Sequence, residues 1–148
     1  MTIAIGCDHG GYLLKEALRK YLTEKNYQVE DFGCSSEESV DYAPIAASAA
    51  RAVASGKAEK GILICSTGLG ICMAANKVKG IRAATCSDSY SAEMTRRHNN
   101  ANILCMGGKI VSEEKAKELA DIFLSTEFEG GRHQRRIDEI TEIEESER

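Results

Sequence analysis

The sequence predicts a three-layer, doubly wound α/β fold, with a five-stranded parallel sheet between helices and an extra C-terminal helix. Three observations carry this prediction. Short apolar runs alternate with longer amphipathic ones along the chain, and each short run ends near Gly, Ser or Asp. Each intervening segment is long enough for the crossover that joins parallel neighbours. At 148 residues, 43% of them hydrophobic and 28% charged, the chain fills one core and is too short for two ordinary domains, so residues 1–148 read as a single domain.

In chain order, Ile3 to Gly6 is the first strand, followed by a helix over Tyr12 to Lys25 that carries Leu14, Leu18, Tyr21 and Leu22 at helical spacing. Gln28 to Phe32 is the second strand. The only proline, Pro44, lies near the start of an Ala-rich run, where a helix tolerates it. Gly61 to Cys65, Arg82 to Cys86 and Asn102 to Met106 supply the remaining strands, and Ser112 to Leu124 repeats the helical pattern with Ala116, Leu119, Ala120 and Phe123. The last segment, Gly130 to Arg148, is strongly charged, with Ile137, Ile140 and Ile143 spaced at threes within it. Such a thin apolar stripe gains little by folding alone, so the helix is expected to pack on the body or on a partner chain.

Right-handed crossovers and a strand order of 2-1-3-4-5 put the switch point between the first and third strands, where such sheets bind ligands. The loops there are Cys7-Asp8-His9-Gly10-Gly11 and Cys65-Ser66-Thr67-Gly68-Leu69-Gly70, the most polar and glycine-rich stretches of the chain.

A formal net charge of −4 gives no long-range attraction for nucleic acid or an anionic membrane, so a phosphate would need a local cluster of donors. No run approaches the roughly 18 uninterrupted apolar residues of a membrane span, and the N-terminus has no signal-peptide pattern. A cytoplasmic protein is expected. The six cysteines are scattered through an ordinary globular composition and read as free thiols.

In the third-strand loop, Gly68 and Gly70 allow close backbone approach to a ligand, and amides opening the next helix suit an anion or oxyanion. A thiol at Cys65 beside them could serve as base or nucleophile; on position alone it could equally be a small buried hydrophobe. A phosphatase loop of the C-x5-R type needs arginine where Ile71 stands, and a dinucleotide fingerprint needs glycine where Met73 stands. Asp8 reads either as an acid or as a cap for the helix after Gly11. His98 reads as a proton shuttle or as a helix C-terminal residue satisfied by the dipole. Arg132 and Arg136 share a helix face with His133 nearby, and either grip phosphate or pair with Glu139 and its neighbours. No close C-x-x-C or H-x-x-x-H pair occurs, so no metal site is expected.

Taken together, Gly6-Cys7-Asp8-His9-Gly10-Gly11, Asp41-Tyr42, Cys65 to Gly70, Ala74-Ala75-Asn76-Lys77, Gly80-Ile81-Arg82-Ala83, Arg97-His98-Asn99 and Gly130 to Gln134 with Arg136 resemble the type B ribose-5-phosphate isomerase family, in order and along nearly the whole chain. That family includes galactose-6-phosphate and allose-6-phosphate isomerases. The resemblance implies an aldose–ketose interconversion through an enediolate, the ribose 5-phosphate to ribulose 5-phosphate step of the pentose phosphate pathway, without metal or organic cofactor. It casts Cys65 as the base, Thr67 as its assistant, and Asp8 and His98 in ring opening. Asn99 meets a sugar oxygen, backbone amides around Gly68, Leu69 and Gly70 hold the oxyanion, Ser66 is a substrate contact, Tyr42 lines the pocket, and His9, Lys109, Arg132 and Arg136 take the phosphate. It also implies a homodimer or dimer of dimers with shared active sites.

This chain departs from the family pattern in places. Ser66 stands where Gly is common after the base and should crowd the turn, Asn100 replaces a common Asp, and Lys109 replaces an arginine with a weaker point charge. Ile71 occupies the position where another branch uses a Glu base, which assigns this chain to the Cys branch. Three rival readings stand beside ribose 5-phosphate isomerisation: the same chemistry on a longer sugar such as allose 6-phosphate, a sugar-phosphate sensor without turnover, and a metal-binding α/β module. A sensor would need only the anion-binding residues.

Overall fold

A computed structural model describes residues 1–147; Arg148, the end of the predicted C-terminal segment, lies outside the described residues. The elements run β1 (Thr2–Cys7), a 3-10 turn (His9–Gly11), α1 (Tyr12–Glu24), β2 (Gln28–Asp31), α2 (Tyr42–Ala54), β3 (Lys60–Cys65), α3 (Leu69–Ala75), β4 (Ala83–Thr85), α4 (Ser89–Arg97), β5 (Ile103–Gly107), α5 (Glu113–Ser125) and α6 (Arg132–Ser146). Every strand pairing is parallel.

Alternation along the strands builds two cores. Ile3, Ile5, Ile62, Ile64, Leu104 and Met106 face α1 and α5, where Leu14, Leu18, Leu22, Leu119 and Phe123 meet them. Ala4, Leu63, Cys65, Ile103 and Cys105 face the other way, toward Ala46, Ala49, Ala50 and Val53 of α2 and Ile71 and Ala75 of α3. The small residues of α2 let that helix lie close to the sheet. Helix starts follow capping chemistry: the Asp88 side chain accepts from Ser91 N at 2.8 Å, and Ser112 Oγ accepts from Lys115 N at 3.1 Å, with Glu113 and Glu114 in the first turn of α5.

The strand order is β2-β1-β3-β5-β4, so the last two strands exchange the places expected for them. Burial explains the exchange. All five residues of β5 are buried, whereas β4 has only three residues, all half-buried. The strand that can be covered on both faces takes the inner slot, and the short one becomes an edge. The switch point between β1 and β3 is the same in either order.

Candidate active site

The loops after β1, β3 and β5 are pressed together above the carboxyl ends of the strands. Cys65 O accepts from Gly108 N at 2.7 Å, Ser66 O accepts from Lys109 N at 3.0 Å, and Ile64 O accepts from Asp8 N at 3.2 Å. Gly68 has φ +80°, and a Cβ there would lie 2.7 Å from the Met106 carbonyl carbon, so only glycine fits this contact. A Cβ on Gly10 would strike the Ser66 side chain and come within 3.0 Å of Ser66 N. The crowding expected of Ser66 is therefore taken up by Gly10, and the left-handed position of the turn falls at Gly68.

Within this frame Cys65 is only 5% exposed, and its sulfur accepts a hydrogen bond from Gly68 N at 3.1 Å. Leu69 N donates to Thr67 Oγ1 at 3.2 Å, and Gly68 O accepts from Thr85 Oγ1 at 2.6 Å. Two of the amides expected to face an oxyanion are thus turned onto Cys65 and Thr67. Gly70 lies in the first turn of α3, where amides have no carbonyl four residues back, and Tyr42 packs so closely on it that a Cβ would lie 2.6 Å from the ring.

Asp8 is buried and caps the 3-10 turn, its Oδ1 accepting from Gly10 N at 2.9 Å; the helix it was expected to cap, α1, starts one turn later, with Gly11 at its N-cap and no side-chain cap. His9 is exposed, and its Nδ1 accepts from Val40 N at 3.2 Å, which leaves Nε2 to carry the proton when the ring is neutral. Lys109 is exposed beside this loop cluster.

His98, Asn99, Arg132 and Arg136 do not join these residues within one chain. His98 caps the C-terminus of α4, which runs back toward the start of β5. Arg82 holds that corner, donating through Nε to Asn99 O at 2.9 Å and through Nη2 to Asn100 O at 3.0 Å. Asn102 O in turn accepts from Gly61 N at 2.9 Å, so the corner sits beside the amino end of β3, while Cys65 pairs with Gly107 at the carboxyl end. At about 3.3 Å per residue, Gly61 to Cys65 spans roughly 13 Å. The candidate residues thus fall into two groups, two candidate half-sites, at opposite ends of the sheet.

In the second half-site, the His98 and His133 rings stack with centroids 4.2 Å apart and planes 13° from parallel. Glu129 Oε1 lies 4.0 Å from His98 Nε2 and 3.5 Å from His133 Nε2, and its Oε2 lies 3.5 Å from Arg97 Nη1. Burial, His98 and the nearby arginines push the His133 ring below the ordinary histidine range, with Glu129 opposing. Arg132 and Arg136 are exposed, and among the described residues neither has an ion-pair partner, so the expected alternative of pairing with Glu139 is not what this helix does. His98, Glu129 and His133 also bring together three potential metal-ligand atoms within 4.8 Å. Near-parallel stacking, however, keeps the in-plane lone pairs of the two rings in nearly parallel planes, which do not converge on a common point. The set does not fit one cation without turning a ring.

Sequence reasoning missed Glu129 and Arg82 as parts of this half-site. Glu129 had a usable signal, since it stands four residues before His133.

The sequence profile described as Ribose/Galactose Isomerase matches residues 3–140. Ribose-5-phosphate isomerase B of Escherichia coli K12 is 49% identical over 142 residues, 96% of this chain and 95% of that protein. Among solved structures, ribose-5-phosphate isomerase B of Clostridium thermocellum superposes with a TM-score of 0.99 at 50% identity, covering 100% of both chains. The enzyme of Mycoplasma genitalium with bound ribulose-5-phosphate gives 0.93 at 42% identity, over 97% of this chain and 96% of that one. With a shared fold, near-complete coverage and this level of identity, the chain belongs to the ribose/galactose isomerase family and is an aldose–ketose isomerase.

Proposed function

We propose that the protein interconverts D-ribose 5-phosphate and D-ribulose 5-phosphate, with Cys65 as general base. The observation that carries this reading is the Cys65 sulfur held under the Gly68 amide at the switch point, beside Asp8 and His9. A peptide N–H aimed at the sulfur suits a group that takes up a proton and gives it back. The proton leaves C2 of the open-chain aldose, the electron pair moves onto the carbonyl oxygen to form the enediolate, and return of the proton to C1 gives the ketose. The Thr67 hydroxyl and the Gly70 amide serve the oxygens on which charge collects, a task suited to fixed dipoles. None of these steps calls on a cofactor.

The second half-site reaches the first from a second copy of the chain. Two exposed isoleucines of α6, Ile140 (50%) and Ile143 (64%), line a groove of about 680 Å³ with Ile81, Arg82 and Ala83 at the β4 edge, and Leu69 and Met73 are exposed on α3. These are apolar surfaces that a partner would cover. In the homodimer, or a dimer of such dimers, His98 and Asn99 of one chain meet Cys65 and Asp8 of the other. Arg132 and Arg136 then join His9 and Lys109 around the phosphate, where planar guanidinium forks grip two oxygens at once. All six thiols are free, which suits the reducing cytosol, and no helix among the described residues is long and apolar enough to cross a membrane.

The test is conversion of ribose 5-phosphate to ribulose 5-phosphate by purified protein, with allose 6-phosphate as the competing substrate. The reading predicts the larger kcat/KM on the pentose and a loss of about 10²–10⁴-fold in Cys65→Ala. A larger value on the hexose would support the longer-sugar alternative. Binding without conversion would support the sensor.

A further inference from the structure

The stacked pair His98 and His133, with the Glu129 carboxylate facing both, is more elaborate than phosphate binding or one catalytic histidine needs. His133 is 5% exposed, and its Nε2 is the buried side-chain polar atom left without a hydrogen-bond partner among the described residues. Facing it is Glu129 Oε1 at 3.5 Å, the same oxygen that lies 4.0 Å from His98 Nε2. Glu129 is itself tethered: its backbone N donates to Arg97 O at 3.1 Å, and its other carboxylate oxygen faces the Arg97 guanidinium. The remaining charges around the pair are Glu93, held by Arg97 Nε at 2.6 Å, and Arg132 and Arg136 on α6.

We propose that Glu129 and His133 are positioning residues for ring opening: Glu129 keeps a proton on His98 Nε2, and the His133 ring is the platform that fixes the plane from which His98 delivers it. This rests on the isomerase reading above. Cyclic ribose 5-phosphate must open before C2 can be deprotonated. The O1 hydroxyl gives its proton to Asp8, the C1–O4 bond breaks as C1=O1 forms, and O4 takes the proton carried by His98. Two stacked imidazolium cations would repel, so the pair holds at most one extra proton, on one ring at a time. A carboxylate shared by both Nε2 atoms keeps one proton within the pair. The His133 environment, buried and beside two arginines, makes His133 the neutral member.

The substrates separate this role from the isomerisation itself. Ribulose 5-phosphate cannot close a furanose ring, because its C5 oxygen carries the phosphate, so exchange of its C1 proton with solvent deuterium needs Cys65 but no ring opening. In Glu129→Gln, conversion of ribose 5-phosphate is expected to fall about tenfold or more while the exchange stays within about twofold of wild type. The exchange-to-conversion ratio therefore rises about tenfold, Glu129→Asp recovers part of the loss, and His133→Phe, which keeps a ring in the stack, outperforms His133→Ala. A ratio that does not rise in Glu129→Gln, whether both rates fall together or neither falls, overturns the proposal. Wild-type protein that shows neither conversion nor exchange would instead overturn the isomerase reading, and that result is read without any variant.

Discussion

Cys65 and Cys72 lie on the same side of the sheet, and their surroundings assign them different chemistry. Cys65 is met by a backbone amide, Gly68 N at 3.1 Å. The Cys72 thiol is pushed down to about 6, chiefly by hydrogen bonding from Cys105 with help from Thr85, against the effect of burial. Burial holds Cys86 up at about 11 and Cys7 at about 12. Since the thiolate is the nucleophile, limited iodoacetamide at pH 7 should label Cys72 ahead of Cys7 and Cys86, with labelling of Cys72 falling as pH drops through about 6. Peptide mass spectrometry would check this, and early labelling of Cys7 or Cys86 would contradict it. Inactivation by a thiol reagent is therefore poor evidence about Cys65, and substitution is the sharper tool. At this scale the glycine-rich loops after β1 and β3 stood out in the sequence as the most polar stretches at strand ends, whereas the roles of Cys65, Asp8, His98 and the arginine pair came only with the family resemblance. Glu129 did not stand out, because one exposed carboxylate among many gains meaning only when two rings are seen beside it.

Among the elements, the junction of α1 with β2 depends on Lys15, a lysine that is only 1% exposed. It donates to Asp31 at 2.7 Å and to the Cys34 carbonyl at 2.7 Å, and it lies 3.1 Å from Glu16. Burial alone would push Lys15 down, but the two carboxylates outweigh it and leave it raised. Its contribution to stability is thus fully present below the ordinary lysine value and is lost as pH climbs through the raised one. Lys15→Met, which keeps the volume but leaves a buried carbonyl unpaired, should cost about 1–3 kcal/mol in urea unfolding. An unchanged midpoint would show that the lysine is incidental. The loop after β3 makes a second prediction. Gly68→Ala forces a Cβ against the Met106 carbonyl at φ +80° and pulls the amide away from Cys65, so stability should fall by about 1–3 kcal/mol. Activity should fall with it, and a variant as active and stable as wild type would mean the turn is not held as described. The five strands, α1, α5 and α6 were readable to within two residues from periodicity and turn residues, whereas α2, α3 and α4 were read only as helical stretches without bounds. The exchange of β4 and β5 was not readable, because it depends on how completely each strand is covered, which the alternation of short runs does not encode.

For the molecule as a whole, parallel topology returns every helix to the amino end of the sheet, which separates His98 from Cys65. The family resemblance placed both residues in one chemistry and implied sites shared between chains; the crossover that separates them within one chain lies in how α4 and β5 pack against β3. Ile140→Asp and Ile143→Asp together should yield a monomer that retains its circular dichroism and loses activity, because the exposed part of the α6 stripe no longer has an apolar partner to meet. A fully active monomer in analytical ultracentrifugation would contradict this. The most direct measurement is complementation between two inactive variants, Cys65→Ala and His98→Asn, co-refolded in equal amounts. If each site draws Cys65 from one chain and His98 from the other, random pairing makes half of the dimers mixed, each with one intact site, and activity returns to about a quarter of wild type. If both residues act within the same chain, no mixed dimer contains an intact site and the mixture stays as inactive as its parents.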